Sequence, residues 1–173
     1  ETTLVIAEGQ SQEEIDREAM EARRNAIVYD NMTLDELAEK LNRSLNSTLS
    51  GQGYTFASYA VEQNIDPYLS VAIVLHETGC KWTCSSLMRQ CNNVGGMKSG
   101  GTGKCGSYAS FPTLEDGIRA YMENLNRNYF SQGLTTPETI GPKYAASTTW
   151  PTQVNGGLWK YSTGFHNTAK AKT

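Results

Sequence analysis

From Asp66 to Cys80 the chain is apolar almost all round, with Tyr68, Leu69, Val71, Ala72, Ile73, Val74 and Leu75 in close succession. A helix without a polar face is one buried in a core. Asp66 stands at the N-cap, and Pro67 takes the first helical position, where the N–H that proline lacks is not missed. Gly79 offers a left-handed stop. The last turn carries Glu77. An acid delivered to the end of a buried helix is expected to be partly desolvated, which raises a carboxyl pKa toward what a general acid needs near neutral pH. The plainer expectation is a solvated helix-end residue.

Helical spacing recurs on both sides of this stretch. Ser11 and Glu14 form a capping-box pattern ahead of Ile15, Ala19, Ala22 and Ala26, predicting a charge-rich peripheral helix over Gln12–Tyr29. Thr33 and Glu36 open a second helix with Leu34, Leu37, Leu41 and Leu45 on one stripe. Residues 46–53 read as a loop, and a helix over Thr55–Gln63 follows with Phe56, Tyr59 and Ala60 inward. Beyond Gly79 a short helix is expected over Thr83–Gln90. From Asn92 to Gly106 the six glycines exclude a long helix, so a hairpin lobe is expected, with strands near Val94–Lys98 and Gly106–Phe111. Thr113 and Asp116 open a helix over Leu114–Tyr129 with Ile118, Tyr121, Met122 and Leu125 inward. Thr136 and Pro137 begin another, and Trp159–Ala169 is a candidate last helix. The fold class is therefore mainly α (α+β), with a small β-hairpin lobe inserted after the helix that ends in Glu77. Residues 1–50 read as an N-terminal helical extension and residues 51–173 as the main domain.

At 173 residues the chain can bury a sizeable core. No apolar run approaches the roughly 20 residues a membrane span needs. The chain begins at Glu1 rather than methionine, which predicts a processed or trimmed product. Its net charge of −3 hides an asymmetry: residues 1–77 hold 14 acids and 5 bases, and residues 78–173 hold 4 acids and 10 bases. The basic half suits a polyanionic partner or a solvated basic face. Asn31, Asn42 and Asn46 stand in sequons that matter only in a glycosylating host. Cys80, Cys84, Cys91 and Cys105 lie within 26 residues without the paired C-x2-C knuckles of common zinc sites. They predict two disulfides of unassigned connectivity and a non-reducing compartment. A zinc-clamped interaction module is the competing reading.

Tyr108, Tyr121, Tyr144, Trp150 and Trp159 are candidates for stacking on sugar rings, with core packing the plainer role for Tyr121 and Trp159. No Asp or Glu occurs between Thr78 and Leu114. Two-carboxylate glycosidases set a second acid about 5–9.5 Å from the first. A partner for Glu77 would have to come from Glu115, Asp116, Glu123, Glu138 or the acidic first half, or be no carboxylate at all.

Four stretches together resemble a known family. They are Leu75–Gly79, Asn92–Lys98, Tyr108–Phe111 running into Glu115–Ile118, and Gly133–Thr136 followed by Ile140–Ala145. In this order, across about residues 55–165, they are similar to the glucosaminidase-type peptidoglycan hydrolases of the lysozyme-like superfamily. The resemblance implies a lysozyme-like helical domain with Glu77 as general acid and Tyr144 near the scissile bond. It also implies a sugar cleft lined by Asn93, Gly95 and Met97, to which Tyr108, Tyr121 and Trp150 are added as substrate-binding aromatics. The missing acid in the lobe departs from the family pattern, as do the four cysteines. A lone Glu is similar to lytic transglycosylases and goose-type lysozymes, in which a sugar hydroxyl, a water or the 2-acetamido group acts as nucleophile.

The expected activity is cleavage of β-1,4 bonds in peptidoglycan glycan strands by an extracellular, cell-wall or virion-associated enzyme. No cofactor, metal, nucleic acid or membrane span is expected, and a place in a larger multi-module or cell-envelope assembly fits residues 1–50. The alternative is a non-catalytic peptidoglycan-binding or scaffold protein on a degenerate lysozyme-like fold.

Overall fold

The computed structural model describes residues 9–79 and 84–156. In chain order the elements are α1 (Gln12–Asn25), β1 (Ile27–Tyr29), β2 (Met32–Thr33), α2 (Leu34–Asn42), α3 (Gly53–Gln63), α4 (Pro67–Thr78), α5 (Ser86–Cys91), β3 (Gly103–Cys105), β4 (Tyr108–Ser110), α6 (Leu114–Asn128) and α7 (Pro137–Tyr144). Single 3-10 turns lie at Ser47–Leu49 and Phe130–Gln132, and residues 150–156 are helical. The fold is mainly helical, with two small antiparallel hairpins, β1–β2 and β3–β4. The expected helix over Trp159–Ala169, including Trp159, lies outside the described residues.

The central helix is α4. The Asp66 side chain accepts the Tyr68 and Leu69 N–H groups, Pro67 takes the first turn, and Gly79 stops the helix at φ +65°. Every residue from Pro67 to Leu75 is buried. Burying a Val, Leu or Ile side chain stabilises by about 1.5–3 kcal/mol, so this run anchors the domain. Around it pack Leu37 and Leu41 of α2, Phe56 and Ala60 of α3, and Ile118, Met122 and Leu125 of α6, all inaccessible to solvent. The Tyr121 hydroxyl donates to the Ser70 carbonyl at 2.8 Å, tying α6 to α4. Tyr59, expected inward, is only half buried: its hydroxyl donates to Glu115 on α6.

The division at residue 50 does not follow the packing. Leu37, Leu41, Leu45 and Leu49 belong to one apolar cluster with α4 and α6. Gly53 lies so close to α2 that a Cβ there would sit 2.1 Å from the Ala38 carbonyl oxygen, and the Asn42 side chain accepts the Gly53 N–H at 2.7 Å. Within the described part of the first 50 residues, α1 stands outside that cluster, with no buried residue. It ends at Asn25 rather than Tyr29, and Ser11 caps it by accepting the Glu14 N–H without a reciprocal bond. The full capping box forms at Thr33 and Glu36.

Residues 27–33, part of which was expected to continue the first helix, form the β1–β2 hairpin. Its turn residues Asp30 and Asn31 take positive φ angles of +48° and +56°, which Asp and Asn tolerate better than most side chains. A polar cluster holds the hairpin down. The Tyr68 hydroxyl donates to Asp30 at 2.6 Å, buried Lys40 lies 3.6 Å from the same oxygen, and the Tyr29 and Tyr68 rings meet edge to face.

In the second lobe the expected strand at Val94–Lys98 is absent, and β4 pairs instead with Gly103–Cys105. Gly96 turns at φ +63°, which interrupts an extended strand there. A disulfide, Cys91–Cys105, ties α5 to β3, and Cys84 is also disulfide-bonded. These sulfurs are therefore not zinc thiolates. By chain-entropy reasoning a loop of this size is worth about 3 kcal/mol.

Burial, with the nearby carboxylates of Asp66 and Asp30, holds the phenols of Tyr29 and Tyr68 well above the ordinary tyrosine value of 10.0, and burial does the same for Tyr121. A phenol whose pKa is raised by folding contributes stability that is complete below pH 10 and is lost as pH rises past it. Thermal unfolding followed upward from pH 9 is expected to show a falling Tm with onset near pH 10, together with delayed tyrosinate absorbance in the folded protein. A flat Tm across that range would contradict this.

Candidate active site

Glu77 is placed by the exit of α4 from the core. The apolar run ends at Leu75, so His76 and Glu77 emerge into solvent while Thr78 turns back, its hydroxyl donating to the Val74 carbonyl at 2.6 Å. The Thr78 carbonyl accepts the Ser85 N–H at 2.8 Å, pinning the start of the second lobe to the helix end. The Glu77 residue is exposed, contrary to the partly desolvated acid expected from the greasy helix. In the last turn Leu75 and Thr78 face the core while His76 and Glu77 fall on the solvent side.

One oxygen of Glu77 is nonetheless fixed. The indole N–H of Trp150, itself 2% exposed, donates to Glu77 Oε1 at 2.8 Å. Trp150 opens the helix at residues 150–156, after a turn in which its N–H bonds the Ser147 carbonyl. Close approach of α7 sets its position: a Cβ on Gly141 would lie 2.8 Å from Pro151 and 3.3 Å from the Trp150 ring. Aromatic rings continue from there. Tyr144 stacks on Trp150 with centroids 5.1 Å apart, Tyr129 lies 5.5 Å from Tyr144, and the His76 ring meets Trp150 edge-on.

Tyr144 joins this aromatic group to the second lobe, its hydroxyl donating to the Gly95 carbonyl at 3.3 Å. Burial first, then the Glu77 carboxylate, then Tyr129 push its phenol far above the ordinary value, so it stays protonated and able to donate. The same ring borders a groove of about 590 Å³. One wall is the loop at residues 95–100, and the other is the outer face of α6, with Ala120, Glu123, Asn124, Arg127 and Asn128. Glu77 is not itself a lining residue; it is linked to the groove through Trp150 and Tyr144.

The remaining candidates divide. Gly95 and Met97 line the groove. Asn93 does not: it is 1% exposed, its amide nitrogen donates to the Met97 and Ala109 carbonyls at 2.8 and 2.9 Å, and its amide oxygen accepts the Met97 N–H at 2.9 Å. With those bonds made inside the lobe, it shapes the groove wall rather than meeting a ligand. Tyr121 is likewise no sugar platform, since its ring is 1% exposed and packs directly behind Gly95. Tyr108 is exposed on β4, outside the groove lining.

The acids named as possible partners for Glu77 divide in the same way. Glu115 accepts the Tyr59 hydroxyl, Asp116 accepts the hydroxyl of the N-cap Thr113 and pairs with Arg119, and Glu138 accepts the Asn155 amide. Glu123 alone of these four faces the groove. Asn124, Arg127 and Asn128 carry no expectation of lining a groove from the sequence, whereas Lys98 belongs to the segment that the resemblance places there and Glu123 is among the acids named as possible partners for Glu77. The signal was present in part: Ala120, Glu123, Asn124 and Arg127 fall at helical spacing opposite the apolar stripe of α6. What covers that face is not written in its own segment. Among the described residues no three His, Cys, Asp or Glu side chains group closely enough to hold a metal ion. No protein-family model matches the chain, and a search of curated proteins finds no match.

Proposed function

We propose that the protein is a cell-wall lytic enzyme that cleaves β-1,4 glycosidic bonds of peptidoglycan strands, with Glu77 as general acid. The observation that carries this reading is the Glu77 carboxyl, exposed at a helix end yet held by the buried Trp150 N–H, next to the ring of Tyr144 that borders the groove. With Oε1 occupied by the indole, Oε2 is left to present a proton to the leaving oxygen of a sugar. A bound glycan would exclude water from the carboxyl and so supply the desolvation that the free protein lacks. Tyr144, neutral and adjacent, offers its ring face and hydroxyl dipole to the positive charge that develops at the anomeric carbon. The disulfides fit an enzyme that works outside a reducing cytosol.

The stretch between Thr78 and Leu114 holds no Asp or Glu, which favours attack by the sugar's own hydroxyl, by water or by the 2-acetamido group over a carboxylate nucleophile from that lobe. Purified walls incubated with the protein are expected to lose turbidity and release soluble muropeptides. Mass analysis of those fragments separates the routes, since anhydro-muramyl ends arise only from internal hydroxyl attack. Walls that bind the protein but stay turbid would support the second reading, a non-catalytic glycan-binding module, which the solvent exposure of Glu77 favours.

Trp150→Phe keeps a six-membered ring beside Tyr144 and removes the N–H along with the rest of the five-membered ring, so the fold is checked alongside by circular dichroism. A hydrogen bond to a charged group is worth about 1.5–3 kcal/mol, so clearing is expected to slow by roughly tenfold or more while wall binding persists. Unchanged clearing would show that the indole does not position the acid.

A further inference from the structure

We infer that the groove between the loop at residues 95–100 and α6 holds the anionic peptide stem of a substituted sugar, with Lys98 and Arg127 as its carboxylate-binding residues. This rests on the peptidoglycan reading above and names which part of that polymer the groove recognises. The two cations reach the groove from opposite walls, one from the loop and one from α6. Among the described residues neither the Lys98 ammonium nor the Arg127 guanidinium makes a hydrogen bond or an ion pair, whereas Lys104 of the same lobe donates to the Lys98 carbonyl at 2.6 Å. The lining holds one carboxylate, Glu123, against these two cations. The groove is therefore left with a positive excess that a neutral glycan would not need.

The other polar groups suit a peptide. Asn128 donates its amide to Asn124 at 2.5 Å, which leaves the Asn124 amide N–H and the Asn128 amide oxygen to meet backbone C=O and N–H groups. At Gly95 and Gly96 the loop wall carries no side chain, so an extended backbone can approach it closely there. Arg binds a carboxylate through two parallel N–H groups and Lys as a point charge, so the pair accommodates a stem with more than one acidic group.

The test is equilibrium cosedimentation with insoluble walls on a Glu77→Gln background, so that the walls persist. Three preparations serve: sacculi bearing peptide stems and freed of phosphate polymers, the same sacculi after an amidase has removed the stems, and walls retaining phosphate polymers. The expected result is tighter binding to stem-bearing than to stem-free sacculi, weakening as ionic strength rises. In a Lys98→Gln, Arg127→Gln double variant that preference falls by roughly threefold to tenfold. The charge-retaining Lys98→Arg, Arg127→Lys variant, checked alongside by circular dichroism, keeps most of it and separates charge from any loss of fold. Equal binding to both sacculi, an unchanged preference in the double variant, or a preference that follows the phosphate polymers would each overturn the inference. The glycosidase reading fails separately, if the unaltered protein binds stem-bearing walls and does not clear them.

Discussion

Glu77→Gln is expected to lower the rate of wall clearing by about 10²–10⁴-fold, the usual contribution of a positioned general acid. The substitution is nearly isosteric. Its amide oxygen can keep the bond to the Trp150 N–H, now 2.8 Å from Glu77 Oε1, so the side chain stays in place and only the transferable proton is lost. Because the residue is exposed, the unfolding midpoint should not move, and sedimentation with walls should be retained. Binding without clearing is the pattern that assigns Glu77 to the chemical step rather than to substrate affinity. Clearing at the rate of the unaltered protein would remove Glu77 as the acid.

Asn93→Ala is expected to cost about 2–5 kcal/mol of stability and to lower Tm by roughly 5–15 °C. Truncation leaves the Met97 N–H and the Ala109 carbonyl without the amide that now bonds both. The Met97 carbonyl keeps its second donor, the Ala109 N–H at 2.9 Å, which sets an upper limit on the damage. Hydrogen exchange should speed up at residues 93–100 and at Ala109. Asn93→Asp should be no rescue, since a carboxylate would face two carbonyl oxygens where the amide nitrogen now donates. The resemblance that places Asn93 in a sugar cleft implies a different pattern, unchanged Tm with weakened wall binding, so one melting curve and one sedimentation assay decide between the two roles.

Much of the fold is legible along the chain, and α4 shows why. Its N-cap, its first-turn proline, its apolar run and its glycine stop all lie between Asp66 and Gly79 and agree with one another. The helices α2 and α6 are legible for the same reason, each opening on a Thr cap and carrying an apolar stripe. The β1–β2 hairpin is not, because three residues such as Ile27–Tyr29 show no period that separates a strand from the end of a helix. The Asp30–Asn31 pair was the available clue. In the second lobe the expected first strand lies several residues from Gly103–Cys105, since among so many glycines no side-chain pattern fixes a register.

The site divides along the same line. That Glu77 stands at the end of a buried helix follows from residues within one turn of it. That it is exposed, that the indole 73 positions later holds it, and that the Tyr144 hydroxyl meets a carbonyl 49 positions earlier depend on how separate helices pack. Tyr121 and Tyr144 look alike as candidates on their own helices, yet the first donates to Ser70 inside the core and the second borders the groove. Caps, stops and apolar stripes are interactions among neighbours four or fewer residues apart, so they can be read one stretch at a time. Burial, groove walls and the partner of a catalytic acid arise where distant stretches meet, and only the packed tertiary structure decides which of the side chains so placed face one another.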